Sequence, residues 1–339
     1  MAGIHLRTPS YHKRDRVINN SRSDTISSAP WSIPAVIQQP VPGFFYMGIA
    51  KTPSVVTLPE AEKPYPSILE FLVRAFPCVS RDTWAQRITQ GKVLDDNGSP
   101  IAADTQYVPS KRLFYFREVE NEPVIPFPET ILFQNDEILV ACKPHFLPVI
   151  PGGRFVNECL LNRLRASTEI TDLVPLHRID RETAGIVIFS VNKKTRGLYH
   201  DLFVHGKITK IYHAVAEVNQ PSQQDAWDVQ NRIVRGEPRF RMKTVAGVVN
   251  SRSHIHLLEV HGNRGRFRLK PVTGKTHQLR LHMSGLGFRI INDRLYPELL
   301  PEQNDDFNQP LQLLAKQITF RDPVTGKTVE FSSERTLLW

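Results

Sequence analysis

The 339 residues are 40% hydrophobic and 23% charged, enough to build a sizeable core and more chain than most single compact domains use. Forty-three Lys and Arg against 34 Asp and Glu give a net charge of +9, a sign that favours polyanionic partners: RNA, DNA or an anionic surface. Three widely spaced cysteines, Cys78, Cys142 and Cys159, exclude a CxxC zinc scaffold or a small disulfide framework and fit a reducing, cytoplasmic compartment.

Residues 1 to 60 mix Ser, Pro, Asn and basic side chains without periodicity and read as a flexible tail. They lack the apolar core of a secretory signal, although their Arg and Ser content is compatible with an organelle transit peptide, and Met47 is an alternative start. Ser67 stands as N-cap with Glu70 in capping-box spacing, ahead of Ile68, Phe71, Leu72 and Ala75 on one side of a helix that Pro77 ends. Ser80 caps a second helix with Trp84 and Ile88 on one face, Arg81 and Arg87 on the polar side, and Gly91 as its stop. Lys92 to Leu94 then runs extended into the turn Asp96-Asn97-Gly98. An ordinary helical subdomain would also show this pattern. The stretch from about 65 to 117 nevertheless resembles the alpha-L RNA-binding motif of a ribosomal small-subunit protein, through its basic second helix, "QGKVL" and "NGSPI". That resemblance implies an RNA-binding domain over 61–120, with Arg87 and Lys92 among its RNA contacts.

After the linker Glu118 to Pro128 the pattern predicts a hairpin, Ile131 to Phe133 and Ile138 to Cys142 around Asn135-Asp136-Glu137, ending at Lys143-Pro144. Further strands are predicted over Gly185 to Ser190, Ile211 to Val218, His254 to Val260 and Arg266 to Leu269, with a helix over Thr195 to Phe203. Mixed order without a βαβ repeat argues for α+β. The longest apolar runs, such as Ile186 to Phe189, are far short of the roughly 20 residues of a membrane helix. A soluble protein is expected, with no membrane partner.

Between residues 231 and 280 there are twelve basic residues and two acidic ones, so the net charge is local to this window. In Arg266-Phe267-Arg268-Leu269-Lys270 the alternation puts three cations on one face of a strand, which suits a surface that tracks a phosphate backbone. A solvated strand face is the plain alternative.

The segment from His177 to Gly185 is polar and leads into the apolar strand Ile186 to Phe189. Asp180 lies between Arg178 and Arg181, and adjacent cations favour the ionised carboxylate, a potential nucleophile. A surface salt-bridge cluster would read the same way.

"HRIDRETAGIVIF" closely resembles the central signature of the RluA-type pseudouridine synthases. In the family's order, "ILFQNDEILVACKPHFLPV" is similar to its opening hairpin, "KIYHAVAEV" to its tyrosine motif, "PVTGKTHQLRLHMSGLGFRIINDRLY" to its TGRTHQIR motif and "LQLLAKQITFRDPVTGK" to its closing strand. Ile179, Lys275 and Leu314 depart mildly from the usual Leu, Arg and His. The resemblance implies a catalytic domain over 121–339 on a mixed, largely antiparallel sheet. It implies that Asp180 is the catalytic aspartate, Tyr212 the active-site tyrosine and Arg280 the arginine that pairs with Asp180. It also points to RNA contacts at His177, Arg178, Arg181, Lys275, Thr276, His277, Arg266 and Arg268, with Arg178 as a candidate to fill the space of a flipped base. Ribosomal RNA is the favoured substrate ahead of transfer RNA, acted on by a monomer without cofactor or metal.

Two other classes remain for comparison. A metal hydrolase built on His254, His256, His261, His277 and His282 matches no HExxH scheme. A non-catalytic RNA-binding protein that kept the fold would have no need to retain the aspartate, tyrosine and arginine together. Phosphate-cradling GxxxxGK and GxGxxG loops are absent.

Overall fold

The computed structural model describes residues 45–50, 53–61, 65–219 and 224–339. The tail expected over 1–60 stops short of its predicted end, because β1 (Phe45–Ile49) and β2 (Ser54–Thr57) fall within it. Residues 1–44 lie outside the described residues. Both strands pair with segments far along the chain, so no local pattern announces them.

The Ser67 hydroxyl accepts the Glu70 amide and starts α1 (Ile68–Ala75), and the Ser80 hydroxyl accepts the Thr83 amide and starts α2 (Arg81–Thr89). Both caps are those expected, each satisfying an amide that the first helical turn leaves without a partner. β3 (Val93–Leu94) and β4 (Arg112–Tyr115) complete a small sheet of order β2-β4-β3 over a core that includes Leu72, Trp84 and Leu113. β5 (Glu118–Pro123) pairs with β1 as a separate ribbon, so the boundary expected at 120 runs through a strand. Near its end Glu122 is fully buried, and its Oε1 accepts the amides of Val156, Asn157 and Glu158 at 2.6, 2.7 and 2.7 Å.

β6 (Thr130–Gln134) and β7 (Ile138–Lys143) form the expected hairpin, its turn closed by Asn135 Oδ1 accepting the amides of Glu137 and Ile138. There follow α3 (Leu160–Thr168), β8 (Val174–Pro175), β9 (Ala184–Ser190), α4 (Arg196–Val204) and β10 (Ile208–Glu217). The chain continues through β11 (Ala226–Arg235), β12 (Met242–Val245), β13 (Ser251–His261), β14 (Arg264–Pro271), α5 (Gln278–Gly285), β15 (Leu313–Arg321) and β16 (Thr328–Ser332). Eleven strands join in one sheet with the main order β12-β11-β13-β14-β10-β15-β9-β7-β6, β16 lying on β15 and β8 on β9. Its pairings are antiparallel except β9 with β15, which makes this the expected α+β fold on a mixed, largely antiparallel sheet.

β9 is buried on both faces, as its unbroken apolar run requires. Val187 and Phe189 pack with Leu160 and Leu164 of α3, while Ile186 and Ile188 pack with Tyr199 and Leu202 of α4. Among the described residues no helix is long and apolar enough to cross a membrane.

Glu122 offers a direct test of how the linker is held. Glu122→Ala leaves three amides without their acceptor, so the urea denaturation midpoint should fall by the equivalent of at least about 2 kcal/mol. A midpoint equal to that of the unaltered protein would show that water replaces the carboxylate without cost.

Candidate active site

The segment His177–Thr183 runs from β8 into β9, and buried groups hold it from below. Lys143, at the end of β7, has no exposed surface and donates to the carbonyls of Pro144, Leu147 and Arg181 at 3.0, 2.6 and 2.9 Å. Burial pushes its ammonium down to about 7, against the opposing pull of Glu182 and Asp180. His177 stacks on Phe203 with ring centroids 4.7 Å apart, and its Nε2 accepts the Ile188 amide at 3.1 Å. That arrangement needs a neutral ring, and burial, with Lys210 nearby, lowers its pKa to about 3. The Thr183 amide closes the turn on the Asp180 carbonyl at 3.1 Å.

Asp180 faces a cleft of about 820 Å³, of a size suited to a small-molecule or nucleoside group. Its cationic neighbour is Arg280, whose Nη1 lies 3.6 Å from Asp180 Oδ2 and 3.8 Å from Glu182 Oε2. Arg280 is 2% exposed, so the helix-surface charge that position 280 would show on its own is instead a core group. Asp293 makes this tolerable: its two oxygens accept from Arg280 Nε and Nη2 at 2.8 and 2.6 Å, a bidentate pair in which both partners are buried. Burial works against the guanidinium's charge, and Asp293, Asp180 and Glu182 more than offset it. Among the described residues Arg280 Nη1 finds no hydrogen-bond partner, and it is left 3.6 Å from Asp180 Oδ2.

Tyr212 lines the same cleft from β10. Burial and the charge of Asp180 both raise its phenol above the ordinary value, which suits a stacking ring and makes it a poor base. His277 precedes α5 at φ +55°, its Nδ1 2.9 Å from the Tyr296 hydroxyl and its Nε2 4.0 Å from Asp180 Oδ1. Arg178, Lys275 and Thr276 are exposed at the cleft, and Arg178 makes no ion pair among the described residues.

Other expected contacts are engaged elsewhere. Arg181 binds both oxygens of Asp305 at 2.8 and 2.9 Å and also meets Glu182, so Arg280 takes the place beside Asp180 expected for the flanking arginines. Arg87 and Lys92 both turn to Glu118, Arg87 at 11% side-chain exposure, and Arg87 also lies over the Trp84 ring.

The alternation on β14 is as predicted: Arg264, Arg266, Arg268 and Lys270 are exposed, and Phe267 and Leu269 are buried. Register decides which face of the sheet the row occupies. Tyr212 is the cross-strand partner of Leu269, and partners share a face, so Arg266, Arg268 and Lys270 lie on the reverse face from the cleft. Arg266 is also paired with Glu259 at 2.6 Å. The histidines considered for a metal are divided the same way, with His254 and His256 opposite Lys270 and Arg268 in register and His277 and His282 at α5. Two residues of this site carried no signal of their own in the sequence: Asp293 and Lys210.

A family model described as RNA pseudouridylate synthase matches residues 137–285. The dual-specificity RNA pseudouridine synthase RluA of Haemophilus influenzae is 30% identical over 224 residues, covering 63% of this chain and 96% of that protein. An uncharacterised RNA pseudouridine synthase of Synechocystis sp. is 25% identical over 230 residues, 68% of this chain and 79% of that protein. The solved structure of human RNA pseudouridylate synthase domain containing 1 shares the fold, with a TM-score of 0.51 and 23% identity over 61% of this chain and 84% of that one.

Three histidines in and around the site are held neutral by burial: His177 at about 3, and His145 and His282 at about 4. The unfolded chain takes up protons on these side chains near pH 6.5 and the folded chain does not, so stability must fall as pH drops from about 6.5 towards 4. Denaturation midpoints measured across that window should decline, and His177→Gln should flatten the decline. A flat profile would mean the rings are already charged in the folded protein.

Proposed function

The chain belongs to the RNA pseudouridine synthase family, and we propose from this premise that Asp180 is the carboxylate through which it isomerises uridine to pseudouridine in RNA. The observation that carries the assignment is Arg280 Nη1, buried, free of hydrogen bonds and 3.6 Å from Asp180. A guanidinium so placed keeps the carboxylate aimed and offers it a closer contact once substrate excludes water.

The reaction breaks the bond between uracil N1 and ribose C1′, turns the base and joins C5 to C1′. The C5 proton is lost and N1 gains one, so there is no net redox change and no hydrolysis. Asp180 serves either route to the detached base: attack on C1′ to form a glycosyl ester, or removal of the ribose 2′ proton to form a glycal. Tyr212 stacks on the uracil, its phenol raised above the ordinary value by burial and by the charge of Asp180. A stacked uridine cannot reach Asp180, so the nucleotide is extruded, most cheaply from a loop. Arg178, exposed at the cleft and without an ion pair among the described residues, enters the vacated space in this reading.

The exposed cations Arg232, Arg235, Arg239 and Lys243 lie on the β11–β12 arm and form no ion pair among the described residues. With Lys275 at the cleft they supply phosphate contacts, which position RNA without reading its sequence. We take structured ribosomal RNA ahead of transfer RNA as the substrate, on the ribosomal-protein-type pattern of residues 65 to 117.

Release of label from C5 of uridine in RNA, without added metal or nucleotide, checks the activity. Asp180→Asn should abolish release while RNA binding persists, and turnover by that variant at the normal rate would sink the mechanism. Arg280→Met and Asp293→Asn should each lower kcat by about a hundredfold or more, since both let the carboxylate drift from its reacting geometry. Should Asp293→Asn leave kcat unchanged, Asp293 would be a stability residue alone.

A further inference from the structure

Lys210 stands two positions before Tyr212 on β10, and the two share the face that lines the cleft, together with Ile208. Its side chain is partly buried, yet among the described residues its ammonium makes no hydrogen bond and no ion pair. Burial alone lowers its pKa, with no carboxylate near enough to oppose the effect. The other buried cations of the site are compensated. Lys143 has three carbonyls, Arg181 has Asp305 and Arg280 has Asp293. Gly274 lies directly beside Lys210 in the cleft lining, where a Cβ would stand 3.7 Å from the ammonium, so the neighbouring chain there offers the cation no side-chain partner.

A desolvated cation with no counter-charge, facing an open cleft, is completed by an anion that arrives with the substrate. We propose that Lys210 binds a phosphodiester of the substrate RNA next to the flipped uridine. RNA brings no other anion, and two residues along a strand place Lys210 roughly 7 Å from Tyr212, beside the stacked base and not under it. Lys210 thereby fixes the ribose-phosphate while Asp180 works at C1′ and the base turns. The assignment rests on the pseudouridine synthase reading above.

The test uses the full-length protein and a loop RNA with one target uridine, unmodified or carrying an uncharged methylphosphonate at the phosphate 5′ or 3′ of it. Lys210→Met should raise Kd and KM by about tenfold. It should lower the salt slope of binding by about 0.7, the contribution of one phosphate on a single strand. It should leave the melting temperature no lower, because an uncompensated charge has been removed. Lys210→Arg should restore the slope. One of the two methylphosphonates should weaken the unaltered protein to the same extent and add nothing to Lys210→Met. Unchanged affinity and slope, a loss confined to kcat, or full additivity with both methylphosphonates would each overturn the assignment, the last by moving the contact to the base. Label release by the unaltered protein reports separately on the parent reading: if it makes no pseudouridine, that reading fails and this one falls with it.

Discussion

The buried pair between Arg280 and Asp293 is the constraint on which the site depends. A guanidinium at 2% exposure cannot be deprotonated to escape its desolvation, so a carboxylate must be buried with it. Asp293 takes two of the donors through Nε and Nη2, which fixes the plane of the guanidinium and leaves Nη1 directed at Asp180 and Glu182. Arg280 comes from α5, Asp293 from the turn after Ile290, and Asp180 from the loop before β9. One ion pair therefore holds together segments far apart in the chain, and the geometry around Asp180 follows from the requirement that a buried charge be matched.

The sheet brings those segments to one place. β9 and β15 form its parallel pair, and at their crossing Gly185, at φ +115°, passes so close to Ala315 that a Cβ would lie 2.2 Å from the Ala315 carbonyl oxygen. A residue with a side chain cannot occupy that position without moving backbone. Because Gly185 is five residues after Asp180, and Ala315 pairs on its other side with Tyr212, the close approach sets the distance between the aspartate loop and the tyrosine strand.

Much of this was legible in the residues themselves. Asn135 marked its turn, Ser67 and Ser80 marked their helices, and the period-two alternation of Arg266 to Lys270 marked a half-buried strand, because each of these signals is local. The face of the sheet was not legible. Alternation separates two sides of a strand without saying which one the cleft occupies, and only the register of Leu269 against Tyr212 decides it. Asp293 and Lys210 were missed for a related reason. An acidic residue thirteen positions after an arginine, or a lysine two before a tyrosine, means nothing until the fold buries Asp293 against Arg280 and β10 carries Lys210 to the cleft.

The net charge of +9 invites the idea of a uniformly attractive surface, and the ion pairs argue otherwise. Arg252 is matched by Asp228, Arg266 by Glu259 and Arg181 by Asp305, so these three cations are neutralised on contact and act over short distances only. Cations that form no ion pair among the described residues include Arg232, Arg235, Arg239 and Lys243 on the arm, Arg178, Lys210 and Lys275 at the cleft, and Arg264, Arg268 and Lys270 on β14, all of them able to draw a phosphate chain. Unmatched cations thus stand both at the cleft and on the reverse face of β14, so the attraction of a phosphate chain is not confined to the side that carries Asp180.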